Sequence, residues 1–150
     1  WETAAKIPWG ILILFAGGIC IASAFVSSGI SLIIGEALAG LSGLHPLLLI
    51  AALCVSVTFL TEITSNTATT ALLMPILAAA AIGADMDPRL LMVPAAMSAS
   101  CAFMLPVATG PNAVIFSSGK IPIRTMVREG FALNLFGAVI ITAITYMALA

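Results

Sequence analysis

Charge is what this sequence has least of. Only 7% of its 150 residues are Asp, Glu, Lys or Arg, against about a quarter in ordinary soluble domains. A soluble globular fold is excluded on that ground. The five basic residues form no run of the kind that grips nucleic acid, and no glycine-rich loop for cradling phosphate is present. One histidine, His45, cannot build a zinc site alone, and no nucleophile sits in a pattern with a base, so an enzyme is the class least supported. The three cysteines, Cys20, Cys54 and Cys101, all lie inside apolar runs and read as small buried hydrophobes, not as a disulfide framework. The chain opens on Trp1 without a basic, apolar, small-residue leader, which reads as part of a longer chain.

What is there is hydrocarbon. Apolar residues make up 62% and the mean hydropathy is +1.24, which predicts an all-α, multi-pass integral membrane protein in contact with lipid. Residues 9–28 carry no charge over about the length that spans a bilayer core, with Trp9 placed for an aromatic belt and Gly10, Gly17 and Gly18 for close helix packing. Residues 30–44 show apolar positions at helical spacing with Ser31, Gly35, Glu36 and Ser42 elsewhere. That pattern suits an interfacial arm helix or a short buried one. His45 reads as a helix-end residue. Three units follow: 1–44 for the first helix and arm, 45–119 for the binding part, 120–150 for a loop and last helix. Lys120, Arg124 and Arg128 mark that loop as cytoplasmic, and residues 131–150 as the last span.

Two stretches interrupt the apolar runs. The first is a polar island at 58–70, holding Thr58, Thr61, Glu62, Thr64, Ser65, Asn66, Thr67, Thr69 and Thr70. The second, 105–112, holds Pro106, Gly110 and Pro111 within a run that otherwise begins a helix at Asp87-Pro88, with Asp87 as N-cap. The runs 46–61 and 68–83 predict a re-entrant hairpin with the island at its tip and Pro75 kinking the returning arm. The helix after Pro88 is expected to unwind at 105–112. A helix broken in the membrane presents bare carbonyls to a cation and bare N–H groups to an anion. Ser65, Asn66, Thr67, Thr109 and Asn112 can cap the new helix starts and face a ligand, while Thr61, Thr64, Asn66 and Ala108 can offer oxygens to sodium. No Lys or Arg is near, so the bound cation would supply positive charge to the anion. The plainer alternative is that these hydroxyls bond back to their own helices. Glu62 reads as a partner for backbone N–H groups or a cation, not as an acid–base group.

Two motifs now carry a resemblance: Thr61-Glu62-Ile63-Thr64-Ser65-Asn66-Thr67, and Cys101-Ala102-Phe103-Met104-Leu105-Pro106-Val107-Ala108-Thr109-Gly110-Pro111-Asn112-Ala113. In this order and spacing the chain resembles the divalent anion:sodium symporters, carriers of dicarboxylates, citrate or sulfate, over essentially its whole length. The resemblance implies two inverted repeats, of which this chain is most of the second, the first being absent. It implies substrate contacts at Ser65, Asn66, Thr67, Thr109, Gly110 and Asn112, and a sodium site at Thr61, Thr64, Asn66 and Ala108, with no organic cofactor. It also implies a homodimer in the bacterial inner membrane and an elevator motion linked by arm helices. One departure stands out: many dicarboxylate carriers have Pro-Pro-Asn where this chain has Gly110-Pro111-Asn112, which bears on substrate choice. The competing readings are a sulfate permease, a proton-coupled ion transporter and a non-transporting membrane subunit.

Overall fold

The computed structural model describes residues 1, 9–30, 33, 36 and 45–149, and among them the regular secondary structure is all helix. Six helices follow in order: α1 (Trp9–Ser27), α2 (Pro46–Thr61), α3 (Asn66–Gly83), α4 (Arg89–Ser98), α5 (Gly110–Ser117) and α6 (Ile123–Leu149). The arm helix expected at 30–44 lies almost entirely outside the described residues. Among the described residues, α3 and α6 are long and apolar enough to cross a membrane. Their 18 and 27 residues correspond to about 27 and 40 Å.

The chain starts α2 at Pro46, where the missing N–H costs nothing, and His45 caps it by accepting the Leu47 N–H at Nδ1 (3.4 Å). The other ring nitrogen of His45 lies 3.4 Å from the Tyr146 hydroxyl near the end of α6. Helices α2 and α3 barely touch each other; α4 packs against both. Val57, Ala95 and Ala99 form that contact, flanked by Leu53, Leu73, Met74 and Leu77. A second cluster, Ile50, Cys54, Ala138 and Ile141, seats α2 on α6. Alanines dominate the buried positions, as they do where membrane helices approach closely.

Helix α1 rests on α3. Pro75 lies inside α3 without ending it and, lacking an N–H, leaves the Ala71 carbonyl outside the helical ladder. Gly18 faces that carbonyl, where a Cβ would come within 2.9 Å of the oxygen. A glycine there lets α1 lie against that carbonyl.

Four expectations need correction. Helix α4 begins at Arg89 with Pro88 at its cap position, yet Asp87 still does a cap's work by accepting the Arg89 N–H (2.9 Å). Hydrogen bonds from the Arg89 side chain hold the exposed Asp87 carboxyl below its usual range. Arg124 and Arg128 are not loop residues: α6 starts at Ile123 behind Pro122, whose carbonyl accepts the Thr125 N–H. Cys20 is exposed and Cys101 half-buried; only Cys54 is in the core. The last correction concerns the second break. It does not run from 105 to 112 but from 99 to 109, because α4 stops at Ser98.

Candidate functional site

The first break, residues 62–65, is a short connection between the end of α2 and the start of α3. Ser65 is extended and caps α3 by accepting the Ala68 N–H (3.4 Å). The second break ends at Thr109, also extended, whose hydroxyl accepts the Asn112 N–H at the start of α5 (3.3 Å). Both caps are of the kind their residue types favour. They bring two helix starts to one cleft of about 480 Å³, lined by Ile63, Thr64, Ser65, Asn66, Thr67, Val107, Ala108, Thr109 and Gly110. Among the described residues no charged side chain lines it. Ile63 and Val107 stand on its walls, 74% and 82% exposed.

Of the residues named from sequence, the cleft therefore gathers Thr64, Ser65, Asn66, Thr67, Ala108, Thr109 and Gly110. Thr61 and Asn112 are set back from it. Thr61 is fully buried; its Oγ1 lies against Asn66 Oδ1 and 2.9 Å from the Ala99 carbonyl. One hydroxyl proton thus serves two acceptors, an arrangement rich in oxygen and short of a donor. Thr64 donates to the Leu60 carbonyl (2.8 Å), so the Thr69 hydroxyl, 2.6 Å away, donates to Thr64. Asn112 turns inward and donates through Nδ2 to the carbonyls of Ala102 (2.9 Å) and Leu105 (3.0 Å). It ties the second break to itself.

Glu62 holds the middle of that break. Its carboxylate, 3% exposed, accepts the N–H groups of Phe103 (2.7 Å) and Met104 (2.9 Å) at Oε1 and of Leu105 (2.9 Å) at Oε2. Asn134, on α6 and 0% exposed, donates to the same carboxylate (2.7 Å) and accepts from the Phe103 N–H (3.3 Å). Charge-assisted bonds outcompete the helical ones that 103–105 would otherwise make. One turn before Asn134, Gly130 brings the α6 backbone against this segment: a Cβ there would lie 2.4 Å from the Phe103 carbonyl oxygen. Phe59 and Phe131 stack nearby, ring centres 5.6 Å apart. Sequence reasoning missed Asn134 and Gly130. The signal was present: a lone asparagine and a glycine four apart, on one face of an otherwise apolar helix.

A family model described as "Sodium:sulfate symporter transmembrane region" matches residues 1–149. The chain belongs to that family. It is accordingly part of an integral membrane protein of a transporter family. A protein of Staphylococcus saprophyticus named sodium-dependent dicarboxylate transporter is 48% identical over 146 residues, covering 97% of this chain and 28% of the relative. Proteins of the same name from Staphylococcus aureus strains USA300 and MRSA252 are 48% and 49% identical, with the same 97% and 28% coverage. The chain therefore spans a little over a quarter of the length of the curated relatives it matches. In this chain the two quoted motifs fall on the two chain breaks, with their helix starts at the cleft.

Proposed function

We propose that this chain forms one half of the binding site of a sodium-coupled carrier for a small di- or tricarboxylate of the succinate, malate or citrate kind. The observation that carries the reading is the meeting of two capped helix starts at one cleft without charged side chains. The first N–H groups of α3 and α5 suit carboxylate oxygens. Ser65, Asn66, Thr67, Thr109 and Gly110 line the cleft and form the anion side, while Asn112 acts from behind by shaping the loop. Thr61, Asn66 and Ala108 form the cation side with Thr64, and the Ala99 carbonyl joins them. Sodium among these oxygens relieves their shortage of donors; a turn of the Asn66 amide would do so without an ion, and the sodium dependence decides between the two.

The names of the relatives favour a dicarboxylate over sulfate. In this reading α2 and α3 are the arms of a re-entrant hairpin, 45–119 is the moving part, and 1–44 and 120–150 flank it. A first inverted repeat in the longer carrier supplies the other half-site. A homodimer in the bacterial cytoplasmic membrane and an elevator motion complete the proposal.

The test is uptake of labelled succinate by the full-length carrier in liposomes. Uptake is expected to fall to background when potassium or choline replaces sodium, and to be suppressed by unlabelled dicarboxylate but not by sulfate. Sodium-independent uptake overturns the reading. Asn66→Ala and Thr109→Ala are each expected to lower uptake about tenfold or more, by loss of a bond to a charged ligand, with little loss of folded protein. Unaltered uptake in both would refute the site assignment.

A further inference from the structure

The segment that carries Ala108 and Thr109 to the cleft has little structure of its own. The N–H groups of 103–105 bond to side chains, those of Glu62 at the end of α2 and Asn134 on α6, while the Ala108 N–H bonds to the Leu105 carbonyl (3.1 Å) and Asn112 ties the loop from α5. Asn134 closes that arrangement. It is wholly buried, does not line the cleft, and bridges Glu62 and the Phe103 N–H with its two amide atoms.

We propose that Asn134 is a positioning residue for the coupling cation: together with Glu62 it clamps 103–105, and so sets how tightly the ion is held without touching it. The inference rests on the sodium-coupled reading above. Its physical content is a conformational tax. If only a fraction of molecules hold the segment in the binding arrangement, the apparent dissociation constant rises by the inverse of that fraction. Saturating cation restores the arrangement, because binding itself selects it. Loss of the clamp therefore moves the sodium concentration for half-maximal uptake and spares the maximal rate. A residue with a merely structural role would do the reverse, lowering the amount of working carrier at an unchanged half-saturating concentration.

Two variants separate clamping from charge. Asn134→Leu keeps the Glu62 carboxylate and removes the bridge; Glu62→Gln removes the charge and places an NH2 group against backbone donors. Succinate uptake by the full-length carrier in liposomes is measured against sodium concentration. In Asn134→Leu the half-saturating sodium concentration is expected to rise about tenfold, the size expected from loss of a bond to a charged group, with uptake per folded molecule at saturating sodium close to wild type. Glu62→Gln is expected to shift at least as far. A shift in Glu62→Gln alone would mean the carboxylate acts by its charge and overturns the proposal, as would a fall in maximal uptake alone in Asn134→Leu. Should Asn134→Leu fail to reach the membrane, Asn134→Ser is read in its place. If the wild-type carrier shows no sodium-dependent uptake, the function reading has failed, and the clamp is read by hydrogen exchange. The amides of 103–105 then exchange about tenfold faster in the variant than in wild type; equal exchange overturns the clamp.

Discussion

An alanine at Gly130 is expected to leave the full-length carrier without measurable uptake and mostly unfolded in detergent extracts. A Cβ at this position would lie 2.4 Å from the Phe103 carbonyl oxygen, 2.6 Å from its carbon and 2.7 Å from the Met104 Cα. All three are backbone atoms, so no side chain can swing aside. Helix α6 cannot retreat easily either, because Met126, Asn134, Ala138 and Ile141 are buried on the same helix. The broken segment must move instead, away from Glu62. Overpacking costs about 1–3 kcal/mol, and each buried N–H left unpaired adds about 1–3 kcal/mol. Gly137→Ala supplies the comparison, since its Cβ would meet only the Cys101 Sγ at an ordinary 3.8 Å. That variant is expected to melt at or above the wild-type temperature, because alanine is the better helix former. Equal melting curves for the two alanine variants would show that the close approach at Gly130 does not limit stability.

Glu62→Ala is expected to be nearly as damaging. It strands the N–H groups of Met104 and Leu105 and the Asn134 amide at once, and leaves the Phe103 N–H only its longer bond to Asn134 Oδ1 (3.3 Å). At about 1–3 kcal/mol for each buried donor left unpaired, the sum reaches much of the ~5–15 kcal/mol that holds a typical protein folded. Thermal unfolding followed by size-exclusion chromatography reads this directly. The double variant Glu62→Ala, Asn134→Leu is expected to be less destabilised than the sum of the two single ones, since removal of both partners leaves fewer groups stranded. Strict additivity would count against a direct bond between these two side chains.

Much of the helical order was legible in the sequence. The start and end of α2 at Pro46 and Thr61 follow from His45-Pro46 and from the polar island. The cleft residues were legible too, because Ser, Thr and Asn are conspicuous against hydrocarbon. The second break was read too late along the chain because Pro106, Gly110 and Pro111 were the visible breakers, whereas Ala99, Ala102, Phe103 and Met104 are locally compatible with a helix. What takes the N–H groups of Phe103, Met104 and Leu105 is a carboxylate 41 to 43 residues away in sequence. No local propensity encodes that, and no periodicity of the segment hints at it. The charges of Arg124 and Arg128 suggest a loop, yet arginine is a good helix former and the helix starts directly after Pro122.

The want of a charged side chain among the described residues that line the cleft has a thermodynamic corollary. In the proposed carrier an anion and a cation bound there would act as each other's counter-charge among these residues, so the occupancy of one would raise the affinity for the other by an identical factor. Titrations of anion at several fixed ion concentrations, and the converse, should then close into one square with a single coupling constant on opposite sides.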